Sequence, residues 1–99
     1  MLQKPQVSPY NKKFEFSGEG KTIGGIILWR IRRLSDGLVG GWLENEGNLS
    51  FEDSCWVGND AFVHGKARVS GDALVKNSFV YDRAFLKGGE IYGADVAGN

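Results

Sequence analysis

The chain has 99 residues, 41% of them hydrophobic, with twelve Lys or Arg balanced by twelve Asp or Glu and no formal net charge. That length bounds one small domain with limited core-forming capacity, and the charge balance argues against a general nucleic-acid binder. One cysteine leaves no disulfide staple, Met1 to Tyr10 is too polar for a signal peptide, and the apolar run Ile26 to Trp29 is too short to cross a bilayer, so a soluble cytoplasmic protein without a cofactor is expected.

From the start, Met1 to Lys13 carries Pro5 and Pro9 without periodicity and reads as a tail or an extended strap. Phe14-Glu15-Phe16, a glycine-containing turn at Ser17 to Lys21, and Thr22 to Leu34 read as a strand, a turn and a longer strand. In the longer strand Ile27, Trp29 and Ile31 share one face, while Leu28, Arg30 and Arg32 share the other. Ser35-Asp36-Gly37 and Gly40-Gly41 are read as breaks before Trp42, Leu43 and Glu44. Residues 1–48 are therefore expected to form a tail and a β-cap. Charge is segregated along the chain: basic residues predominate before residue 35, and from Asp36 to Asp60 every charged residue is acidic. Such a dipolar surface can steer a charged partner.

Residues 49–99 carry a short repeat: a small residue, any residue, a branched aliphatic residue, any residue, and a turn former. The apolar slot is assigned to Phe51, Val57, Val63, Val69, Val75, Val80, Leu86, Ile91 and Val96, with units of six residues and, later, of five. Leu49, Cys55, Ala61, Ala67, Ala73, Ser78, Ala84, Gly89 and Ala94 precede it by two, and Asp53, Asn59, Gly65, Gly71, Asn77, Asp82, Gly88, Gly93 and Gly98 follow it by two. Slots two apart on an extended chain point to the same side, so the small and apolar positions face inward together. Gly, Asn and Asp supply the positive φ of sharp corners. An amphipathic helix needs apolar residues at three and four, not at two and six. The pattern predicts an all-β solenoid in which each unit stacks on its neighbours, with Cys55 inward and inert.

A six-residue period of this composition resembles the hexapeptide-repeat left-handed β-helix family, in which three units make one triangular coil. The resemblance implies about three coils. Gly40-Gly41-Trp42-Leu43-Glu44, Asn48-Leu49-Ser50 and Cys55-Trp56-Val57, preceded by Arg30-Ile31-Arg32, further resemble small proteins of bacteriophages and prophages and a longer enterobacterial relative. This second resemblance implies a capped β-helix of phage type. Many hexapeptide proteins are acyltransferases with a catalytic histidine between subunits, but the single His64 follows Val63 and is expected to point outward, away from any nucleophile or carboxylate partner. No enzymatic activity and no metal site are expected.

With three units per coil, the outward slots bring Phe62 beside Phe79 and His64 beside Tyr81 on one face, and stack Trp56 on Leu74 with Lys76 near Tyr92 on another. Exposed aromatic patches of this kind mark interfaces. The first face, with Glu44 and Glu46 at its margin, is the expected partner-binding site. The phage resemblance implies a host protein or protein complex as partner, a host defence complex first, and inhibition as the outcome. A structural or virion-associated oligomerising module is the alternative, and a reduced acyltransferase relative the third reading. The uncovered edge of the last unit and the aromatic face predict a homodimer or higher homo-oligomer.

Overall fold

The computed structural model describes residues 3–98; the first two residues of the strap and the close of the last unit at Asn99 lie outside them. Apolar residues in the alternating rhythm of a half-buried sheet form two long strands, β1 (Phe14–Ile23) and β2 (Ile26–Arg33). Gly24 and Gly25, at φ of 56° and 83°, make the two-residue turn between them. The antiparallel register slips between Phe16 and Gly20, where a bulge sets the glycine beneath the Trp29 ring.

The third strand, β3 (Val39–Leu43), pairs antiparallel with β2 on one side and opens a parallel ladder on the other. The strands that follow are short: β4 (Trp56–Val57), β5 (Phe62–Val63), β6 (Arg68–Val69), β7 (Leu74–Lys76), β8 (Phe79–Asp82), β9 (Phe85–Leu86), β10 (Glu90–Tyr92) and β11 (Asp95–Gly98). From β4 to β8, each pairs in parallel with the strand one coil further on, giving three sheets in the orders β1-β2-β3-β5-β8-β11, β4-β7-β10 and β6-β9. A bridge from Leu49 to Val69 extends the smallest sheet by one rung. The result is the expected nearly all-β solenoid of about three coils, with no α-helix among the described residues. The N-terminal hairpin caps it by lengthening one sheet edgewise, and Phe14, Phe16, Trp29 and Ile31 join the same apolar core as the solenoid valines.

Val57, Val63, Val69, Val75 and Val80 are fully buried, with Cys55, Ala61, Ala67, Ala73, Ser78 and Ala84 beside them. The five-residue units do not break the stacking, since Val80 pairs with Val96 and Val75 with Ile91 in register. Asn77, at φ of 50°, tightens the corner of the first five-residue unit, and Asp82, at 58°, turns the six-residue unit after it. Leu86, Ile91 and Val96 are only partly buried.

Three expectations need correction. Ser17 to Lys21 is not the turn but part of β1, which runs on to Ile23: a bulge absorbs Gly18, and the chain reverses at Gly24-Gly25. Leu49, read as a small-slot residue, occupies the apolar slot, fully buried above Val69, while Phe51 is half-buried beside the core. The reason is a longer corner at residues 50–54. Lys13 Nζ donates to the carbonyls of Ser50 and Asp53 at 2.9 and 2.7 Å, and the Asp53 carboxylate accepts the Gly71 N–H at 2.9 Å. Gly40 and Gly41 are not a break but the middle of β3. A Cβ on Gly40 would lie 2.6 Å from the Trp56 ring, and one on Gly41 would collide with the carbonyls of Gly58 and Ala61. Only glycine lets the first coil close this tightly.

Asn48, 1% exposed, ends a single 3-10 turn (Glu46–Asn48) and uses its whole amide. Its oxygen accepts the N–H groups of Glu44 and Asn45 at 3.1 and 2.8 Å, and its nitrogen donates to the carbonyls of Gly65 and Ala67 at 3.2 and 2.8 Å. It therefore joins the corner of the first coil to that of the second. Asn48→Ala should lower the unfolding free energy by roughly 2–4 kcal/mol in urea titration, because buried backbone groups lose their partners.

Acid should act at two other corners. Asp36 is held down to about 2, first by the Arg33 guanidinium and then by the Leu38 N–H, and Asp53 is lowered first by the Gly71 N–H and then by Ser50. A carboxyl depressed by folding stabilises fully above its unfolded pKa, about 4, and that contribution is lost as pH falls through the folded value. Melting temperature should therefore drop between about pH 4 and pH 2, and Asp36→Asn should make that drop shallower.

Candidate protein-binding face

Parallel in-register pairing places identical slots of successive coils directly beneath one another, so outward side chains form columns. On the six-stranded sheet one column is Trp42, Phe62 and Phe79, with Asp95 next in register. The Trp42 and Phe62 rings stack at 6.2 Å and 10°, and the Phe62 and Phe79 rings at 4.9 Å and 9°. The neighbouring column stacks His64 on Tyr81 at 5.5 Å and 9°. Each such pair is worth about 0.5–1.5 kcal/mol beyond its buried area. Both pairings expected from the sequence, Phe62 with Phe79 and His64 with Tyr81, are present in the geometry.

Cations from the hairpin cover the upper end of the first column. The Arg30 guanidinium sits 4.3 Å above the Trp42 ring, and Lys21 Nζ lies 5.1 and 5.3 Å from the Trp42 and Phe62 rings. Arg30 is held there by the Gly40 carbonyl at 2.9 Å, by the Asn59 side chain at 2.6 Å and by Glu19 at 3.5 Å. Exposure accordingly rises down the column, from 4% at Trp42 to 43% at Phe79. The sequence did not place Trp42, Lys21 or Arg30 in this face. The first coil is longer than the later ones, which hides the spacing from Trp42 to Phe62, and the hairpin cations arrive by tertiary packing.

The acidic margin is engaged inside the molecule. Glu44 Oε1 accepts the Gly65 N–H at 2.7 Å, and Glu46 Oε2 accepts the Ser8 N–H at 2.7 Å and the Asn11 amide at 3.1 Å. Glu44 thus pins a corner, and Glu46 fastens the strap. The second aromatic set divides: Trp56 is 7% exposed, packed on Gly40 with the Arg33 guanidinium 5.4 Å from its ring, whereas Tyr92 is 73% exposed.

His64 stands on an open sheet face, and its ring makes no hydrogen bond among the described residues. Those residues contain no cluster of three His, Cys, Asp or Glu able to hold a metal, and no helix long and apolar enough to cross a membrane. Cys55, 1% exposed, lies 3.4 Å from Lys13 Nζ, and burial lowers the Lys13 ammonium from its ordinary value.

Fold and face together define a β-solenoid built on hexapeptide-like repeats with a ladder of aromatic rings on one outer sheet. The chain is similar to a protein of Escherichia coli (strain K12), the uncharacterized acetyltransferase YdcK, at 28% identity over 101 residues. The similarity takes in 95% of this chain and 29% of that protein, so the chain spans under a third of its relative's length. No family model and no solved structure matches the chain.

The graded burial of the column predicts graded costs. Phe62→Ala, which removes a ring stacked on both sides, should destabilise by about 1–3 kcal/mol, and Phe79→Ala by less than about 1 kcal/mol, in chemical denaturation.

Proposed function

We propose that the chain works without catalysis, by seating the face of Phe62, His64, Phe79 and Tyr81 on the surface of another protein, with Glu44 and Glu46 at its margin. The observation that carries this reading is the half-open Phe79 at the lower end of a ring column. Aromatic side chains already fixed by stacking bury large area at little further cost in entropy, and such residues dominate binding hot spots. The partner in this reading is a host protein and the outcome its inhibition, with a defence complex as the first candidate. The phage-like motifs at Gly40 to Glu44, Asn48 to Ser50 and Cys55 to Val57 support that choice. Assembly into a homo-oligomer through the same sheet, as a structural module, is the alternative.

The similarity to an acetyltransferase favours a second reading, acyl transfer at a site completed by another copy. Against it stands His64, stacked on Tyr81 and without a hydrogen-bonded carboxylate to orient or charge it.

The test compares tagged wild-type protein with a Phe79→Ser, Tyr81→Ser variant in host lysate, by quantitative mass spectrometry, after equal melting temperatures establish that both are folded. A host protein retained by the wild type and lost at least about tenfold by the variant is the expected result. Equal retention would move the site off this face. Turnover of acetyl-coenzyme A that requires His64 would replace the binding reading with the enzymatic one.

A further inference from the structure

The geometry points to a second docking surface, on the β6–β9 sheet and its corner, that takes a short acidic protein segment carrying an apolar side chain. This surface is separate from the aromatic column, and the inference does not rest on the function proposed above. At its centre is Phe85, 56% exposed, paired in register with Arg68. Lys87 Nζ lies 5.3 Å from the centre of the Phe85 ring. Beside them, at the corner leading from the six-stranded sheet, Lys66 and Arg83 line an open groove with Gly65, Asp82 and Gly98. One cation thus lies against the exposed phenyl ring, a second is its register partner, and two more line the adjoining corner.

Arg68 and Arg83 differ from the other arginines in having no ion-pair partner among the described residues, and Lys66 and Lys87, like the other lysines, have none either. The ion pairs among the described residues join Arg30 to Glu19, Arg32 to Glu15 and Arg33 to Asp36, and none involves Lys66, Arg68, Arg83 or Lys87. Among the described residues the Arg68 guanidinium donates only to the Gly47 carbonyl, at 3.2 Å. The nearby acids are committed elsewhere or stand at the boundary. Asp53, which feels the charge of Arg68, is bound to the Gly71 N–H, Asp82 forms the groove wall, and Asp72 adjoins Gly88. A chain without net charge therefore presents a local positive surface, and a partner's carboxylates are the groups that match it.

The boundary also selects the kind of anion. A nucleic-acid backbone needs a continuous positive track, whereas this surface is two rungs deep and edged by Asp53, Asp72 and Asp82. A few carboxylates flanking one apolar side chain fit those limits: the apolar group packs on Phe85 and the carboxylates reach Lys66, Arg83 and Lys87.

The experiment is fluorescence anisotropy with a labelled synthetic peptide in which glutamates flank a central Leu-Phe pair. The controls are the same peptide with Gly-Gly at its centre and a single-stranded oligonucleotide of equal charge. Saturable peptide binding is expected, about tenfold weaker when salt rises from about 50 to about 300 mM. Arg83→Glu with Lys87→Glu, and separately Phe85→Ser, should each weaken it by about tenfold or more, and Phe79→Ser on the other sheet should leave it unchanged. All of these side chains are exposed, so folding should persist. If the glutamate pair lowers the melting temperature, Arg83→Gln with Lys87→Gln gives the charge effect instead. The proposal is overturned by absence of saturable binding, by unaltered binding to the charge variants or to Phe85→Ser, by equal affinity for the Gly-Gly control, or by tighter binding of the oligonucleotide.

Discussion

Parallel, in-register pairing from β3 through β5 and β8 to β11 is the constraint on which the rest of the molecule depends. Because each residue sits over its equivalent one coil away, at roughly 4.8 Å, the register that buries Leu43, Val63 and Val80 also lays Trp42, Phe62 and Phe79 ring on ring outside. Core and surface are thus one decision. A slip of a single residue would put the phenyl rings in the interior and the valines in water. The glycines at 40 and 41 serve the same constraint, since any side chain there would push β3 off Trp56, Val57 and the carbonyls of Gly58 and Ala61.

Charged groups play two different parts in this small protein. Several acids act as local fasteners for backbone N–H groups: Glu44 on Gly65, Glu46 on Ser8 and Asp53 on Gly71. Each holds a corner or the strap to the solenoid, a use of carboxylate in which hydrogen-bond geometry matters more than an opposing charge. The hairpin cations lie over aromatic rings instead, Arg30 above Trp42 and Arg33 near Trp56. Lys66, Arg68, Arg83 and Lys87, on or beside the β6–β9 sheet, make no ion pair among the described residues. Formal neutrality conceals this division, because a sum over residues carries no information about which charges are occupied.

Periodicity made the solenoid legible. Valines, alanines and corner residues from Cys55 to Asp82 occupy the slots that spacing assigned to them, and two aromatic pairs followed by arithmetic alone. The reading failed where the period was interrupted. Leu49 was displaced by two positions because the corner at residues 50–54 is longer and is held by Lys13, a residue remote in sequence. Gly40 and Gly41 resembled a turn because a close backbone approach and a turn call for the same amino acid. The engagement of Glu44 and Glu46, and the cover that Lys21 and Arg30 give the ring column, arise from tertiary contacts that no local pattern encodes.

The junction at β3, antiparallel to β2 and parallel to β5, also gives assembly of this chain a direction. A hairpin with a two-residue turn closes on the microsecond scale, whereas each parallel rung must first close a much longer loop. The β1–β2 pair can therefore form early and offer an edge to β3, which in turn offers its other edge to β5. Growth from that edge would lay each new coil on a surface already ordered, using the nearest-neighbour stacking of linear repeat arrays. The hairpin is in this sense a primer as well as a cap. It converts a slow search among similar repeats into a sequence of short steps, and it sets which repeat is counted first.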